Sequence, residues 1–76
     1  MKKRDELTQH GCLSKALDDE MLFVLLARDP AAPVAIEAWV QARYKLGLNQ
    51  PGDPKINEAL ECAYQMRKQR EQGTFT

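Results

Sequence analysis

Long hydrophobic runs, clusters of soft metal ligands and an excess of either charge are all missing from this 76-residue sequence. The longest apolar run, Met21 to Ala27, is seven residues, far short of the ~20 that a membrane-spanning helix needs. No apolar stretch directly follows the basic start MKKR, as a secretion signal would require. A cytoplasmic setting is therefore expected, with no membrane partner. One histidine and two cysteines, Cys12 and Cys62, are too few for a four-ligand structural zinc, even with His10-Gly11-Cys12 adjacent. Nor does the sequence offer the orienting third group that would activate Cys12 as a nucleophile beside His10. Without a secretion signal the two thiols are read as reduced. Eleven Lys and Arg balance eleven Asp and Glu, which removes the global positive field that draws proteins to nucleic acid or anionic membrane. No segment alternates with period two, so the fold class expected is all-α.

What is present divides cleanly at prolines and glycines. Asp18, Asp19 and Glu20 suit a helix start, with Asp18 as cap and Leu17 stapled onto Leu22; a start one turn earlier, at Ser14, fits nearly as well. This first helix must stop near Arg28, because Asp29 precedes Pro30. PVAIEAWVQARYKLG follows as a second helix, with Pro33 in its first turn, Gly47 as a left-handed cap, and Ala35, Trp39, Ala42 and Leu46 on one stripe. NQPGDP is a loop ending in Asp53 as cap and Pro54 at the first helical position. The third helix sets Ile56, Ala59, Leu60, Ala63 and Met66 on one face. The expected architecture is a compact three-helix fold: an N-terminal arm over residues 1–13, one domain over 14–72, and a frayed tail over 73–76. Leu22, Leu25, Trp39, Leu46, Ile56, Leu60 and Ala63 are its expected core.

The run from Met21 to Ala27 is too apolar for this plan. At about 100° per residue, seven consecutive apolar positions point all round a helix, whereas a surface helix needs one stripe. A chain this small also buries only roughly 60% of its unfolded surface, so it needs a staple or a partner. Either the arm LTQHGCLSKAL wraps the first helix, or its second face meets another copy. Phe23-Val24-Leu25-Leu26 would also suit a buried strand, but the chain holds no second strand to pair with it.

No catalytic, metal or cofactor site is expected. Asp18, Asp19 and Glu20 would diverge around a helix rather than converge on a cation, and capping accounts for them. Lys2, Lys3 and Arg4 at one end, and Arg67, Lys68 and Arg70 at the other, lack interleaved aromatics that stack on bases. Arg43, Lys45 and Lys55 make a thin recognition surface for DNA, so nucleic acid is not the expected partner. Tyr44 and Tyr64 are expected half exposed, as contact residues.

Cys12-Leu13, Asp18 to Glu20, Phe23 to Leu25, Ala27 to Asp29, Ala32-Pro33, Trp39 and Met66 together resemble a group of small helical proteins encoded by bacteriophages and prophages. The resemblance spans most of the chain in short pieces. Met21 and Leu26 depart from it, standing where the group has a proline and a charged residue, and both lengthen the apolar run. The resemblance implies a setting, the cytoplasm of a bacterial host, and carries no activity.

The expected function is accordingly a non-enzymatic phage-type accessory protein that binds and modulates a host protein and forms a homodimer. Alternatives are an oligomer that sequesters a small nucleotide signal, and a small DNA-binding regulator. The expected interaction surface comprises Asp18, Asp19, Glu20, Met21, Phe23, Val24, Leu26, Arg28 and Asp29: an apolar centre within a charged rim.

Overall fold

Proline and glycine mark both ends of the regular structure. In the computed structural model, which describes residues 2–6 and 11–75, the protein is all-α. Its described residues form α1 (Lys3–Glu6), α2 (Cys12–Lys15), α3 (Ala32–Lys45) and α4 (Pro54–Glu71), with no strand among them. The first two are single turns. Pro33 and Pro54 stand in the first turns of α3 and α4, where a missing N–H costs nothing. Asp29 prepares α3: its side chain accepts from the Ala31 N–H at 2.8 Å, a turn that bends the chain into the helix.

Both long helices close the same way. Gly47 has φ +71°, its N–H donates to the Tyr44 carbonyl and the Leu48 N–H to that of Arg43, each at 3.0 Å. These paired bonds satisfy carbonyls the last turn would otherwise leave open, and they need the left-handed residue that glycine supplies. At the end of α4 the same pair runs from Gly73 to Arg70 (3.1 Å) and from Thr74 to Gln69 (3.0 Å). The segment expected to fray is thus bonded back onto α4 through Thr74.

Between the helices a polar chain fixes the corner. The Arg43 Nε donates to the Asn49 side-chain oxygen, and the Asn49 amide donates to Asp53 Oδ2 at 3.0 Å. The same oxygen accepts the Gln50 N–H at 2.9 Å. The Gln50 bond, then that from Asn49, hold the Asp53 carboxyl below its ordinary range. Asp53 occupies the cap position of α4 as expected, but its side chain turns back into the loop and caps nothing. At the far end, Arg67 forks onto Glu37 with two bonds of 2.7 and 2.8 Å. An early residue of α3 joined to a late residue of α4 makes the two helices antiparallel.

The core lies between them. Ala32, Pro33, Val40, Ile56 and Ala63 are buried, and Ile36, Ala59, Cys62 and Met66 half-buried. On α4 this is the expected stripe, with Leu60 exposed at its edge. On α3 it is a different one. Pro33, Ile36, Glu37, Val40 and Tyr44 face inward, while Trp39 is 38% and Leu46 71% exposed, and Ala35 and Ala42 also face out. The helix is turned by about one residue, or 100°, from the expected face. Its sequence carries two apolar stripes. The branched Ile36 and Val40, with Glu37 beside Arg67 on the same side, win the contact with α4.

The larger correction concerns residues 18–28, where no helix forms. Asp18 and Asp19 are the middle of a turn: the Glu20 N–H donates to the Leu17 carbonyl, and the Leu17 N–H to the Glu20 carboxylate, both at 3.0 Å. Residues 20–26 then run without helix, turn or bend until the corner at 27–31. Neither cap nor staple exists, for Leu17 and Leu22 are both exposed. Ser14 lies inside the single turn of α2, its hydroxyl donating to the Gly11 carbonyl at 2.7 Å. A helix over 18–28 would present apolar side chains all round, and α3 with α4 offers one face to receive them.

Ile56→Ala should therefore lower stability by ~2–5 kcal/mol, whereas Trp39→Ala should cost less than half as much; urea unfolding of both variants checks the order. Glu37 gives a second expectation. Hydrogen bonds from Arg67 hold its carboxyl below its ordinary 4.5, with charge attraction adding and desolvation opposing. A depressed folded value means stabilisation present above the unfolded value and lost as pH falls through the folded one. The stability gap between the native chain and Glu37→Gln should thus be open at neutral pH and close in acid, below the ordinary Glu range.

Candidate contact surface

The nine residues expected to form an interaction surface fall on one strap. The turn at Leu17 starts it, and the corner at Asp29 returns the chain to α3. Along it Met21 is 93% and Phe23 87% exposed, and Leu22, Val24 and Leu26 are exposed by more than half. Leu25 alone among 21–26 is half-buried. An exposed apolar run of this length in a small protein is a candidate contact surface.

The backbone of the strap is also unengaged. Among the described residues, no N–H or carbonyl of 21–25 takes part in a backbone hydrogen bond; the nearest are Glu20 to Leu17 and Asp29 to Leu26. An open, mainly apolar cavity of about 380 Å³ is bordered by Leu22, Phe23, Val24 and Leu25 of the strap, by Cys12 and Leu13 of α2, and by Ile36, Cys62 and Met66. Cys12 and Cys62 form no disulfide. A larger open depression of about 770 Å³ shares Leu25, Cys62 and Met66 with it and is bordered also by Leu26, Arg28, Lys2, Lys3, Glu58, Glu61 and Phe75.

The rim groups divide in use. Asp18 and Asp19 are exposed at the tip of their turn. Glu20 and Asp29 are engaged with backbone N–H groups, and Arg28 lies over the Phe75 ring at 5.8 Å. Among the described residues no three His, Cys, Asp or Glu side chains are gathered as a metal would need, and His10 lies outside those residues. No described helix is long and apolar enough to cross a membrane.

One cluster escaped sequence reasoning. Placed outward by the turn of α3, Trp39 has the Arg43 guanidinium 5.4 Å and the Lys55 ammonium 5.9 Å from its ring, within cation–π range. The i, i+4 spacing of Trp39 and Arg43 was the available signal; Lys55 comes from the far side of the corner. Tyr64 is exposed with Lys68 over its ring at 5.6 Å, and Tyr44 is half-buried. No family model matches the sequence, and no curated protein or solved structure is significantly similar to it.

Because Phe23 and Leu26 are exposed, the double variant Phe23→Glu, Leu26→Glu should keep the helical circular dichroism of the native chain while binding much less of a hydrophobic dye. Loss of the helical signal at room temperature would instead make these side chains core.

Proposed function

We propose that this chain is a non-enzymatic accessory protein of phage type that binds and modulates a host protein, with the strap at Met21 to Leu26 as its contact. The observation that carries this reading is the exposure of Met21, Phe23, Val24 and Leu26 beside a helical pair whose core closes without them. Such side chains in water lower solubility and add nothing to the fold; against a partner they supply the apolar centre of an interface. Asp18, Asp19 and Arg28 flank that centre with charge. The resemblance to small phage proteins supplies the host setting, and the compact three-helix plan expected there is replaced, in this reading, by a helical pair with a displayed strap.

A second reading rests on Trp39. An exposed indole with two cations near its ring suits a phosphorylated nucleotide, whose phosphate would draw Arg43 and Lys55 off the ring and leave its face to the base. This is the sequestering alternative. A DNA-binding regulator would use the same patch, and salt-dependent retention on duplex DNA separates the two.

The leading reading is tested with the full chain immobilised in bacterial lysate beside the Phe23→Glu, Leu26→Glu chain. Retention of a host protein by the native chain and its loss from the variant is the expected result. Equal retention by both, or none above bare resin, would overturn it; quenching of Trp39 fluorescence by mononucleotides at micromolar concentration would favour the second reading.

A further inference from the structure

The strap presents two unsatisfied features at once, apolar side chains and an unpaired backbone. Residues 20–26 carry no turn or bend, the amides and carbonyls of 21–25 have no backbone partner among the described residues, and Phe23 and Val24 at the centre are residue types that suit a strand. Such a segment is a template for strand pairing. Among the described residues the strap has no segment to pair with.

We infer that the partner is a second copy, and that two straps pair antiparallel as a two-stranded ribbon about a two-fold axis near Val24. This deepens, and rests on, the reading of the strap as a protein contact. Charge selects the arrangement. An acidic block, Asp18 to Glu20, stands at one end of the strap and Arg28 at the other. Pairing centred on Val24 sets Leu22 opposite Leu26 and Phe23 opposite Leu25, and brings the acidic turn at Asp18 and Asp19 of one copy beside the corner that carries Arg28 of the other. A slip of two residues keeps every side chain on its face and leaves that charge match intact. Parallel pairing would instead stack acid on acid and Arg28 on Arg28, which is unfavourable for like charges directly opposite.

Among the described residues these charges do not meet within one chain. Among the described residues no carboxylate forms an ion pair with Arg28, whose one contact of charge is the Phe75 ring. A ribbon of two strands alone is marginal in water and needs a packed backing. Leu25, bordering one cavity with Ile36 and Met66, shows that each strap already lies against its own helical pair.

The experiment is charge inversion with rescue in trans, read as mass by light scattering. The native chain should measure twice its 8.6 kDa. Arg28→Glu alone, and Asp18→Lys, Asp19→Lys, Glu20→Lys alone, should each be monomeric, since every cross-strand pair then sets like charges together. An equimolar mixture of the two should regain the doubled mass, because each end of the mixed ribbon again pairs opposite charges. A monomeric native chain, or inverted chains that dimerise unaided, would overturn the ribbon. If the triple variant loses its helical circular dichroism, amide exchange in the native chain decides instead. Protection within 21–25 that rises with protein concentration is expected, and uniformly fast exchange would overturn it. A monomeric native chain that still retains a host protein through Phe23 and Leu26 would remove the second copy while leaving the contact reading intact.

Discussion

Ile56 and Val40 are the largest side chains, with Pro33, to be withdrawn fully from water, and the whole molecule is organised by the need to bring them together. A chain of 76 residues has little else to bury. Two helices meeting along one seam satisfy that need, and the antiparallel arrangement follows from a loop short enough to be held by side chains. Arg43, Asn49 and Asp53 fix the corner at one end, and Glu37 with Arg67 ties the other. The Glu37–Arg67 tie is exposed to solvent and orients the seam more than it strengthens it, while the corner is part-buried.

A seam between two helices has two edges but only one inside. Once α3 has turned Ile36 and Val40 toward α4, there is no second buried face for Met21, Phe23, Val24 and Leu26. The strap therefore runs beside the pair, anchored by Leu25 and by the Asp29 turn that leads into α3. Its exposure follows from the size of the core. The same rotation that buries Val40 places Trp39 outside, where Arg43 and Lys55 gather round it; core and surface cluster are two consequences of one choice of helix face.

The displayed strap also changes what its charges mean. On a helix, Asp18 to Glu20 would serve the dipole and the cap. In an extended chain they become one end of a linear charge pattern, with Arg28 at the other. The local job of closing the turn falls to Glu20 alone, which leaves Asp18 and Asp19 available to meet a partner.

Much was legible in the sequence because it is settled locally. Pro33, Gly47 and Pro54 set helix limits through φ restriction and missing N–H groups, and Ile56, Ala59, Ala63 and Met66 named the inner face of α4 because that helix carries one apolar stripe. Surplus apolar character in Met21 to Ala27 was equally plain. Two things were decided only by the tertiary structure. On α3 the stripes through Val40 and through Trp39 are both apolar, and periodicity measures spacing without choosing between equals; the partner helix chose. Residues 18–28 have no period at all, so local propensity could not fix their conformation. Whether Phe23 and Val24 wind into a helix or stay extended depends on whether a face exists to cover them, and that is a property of the assembled α3 and α4.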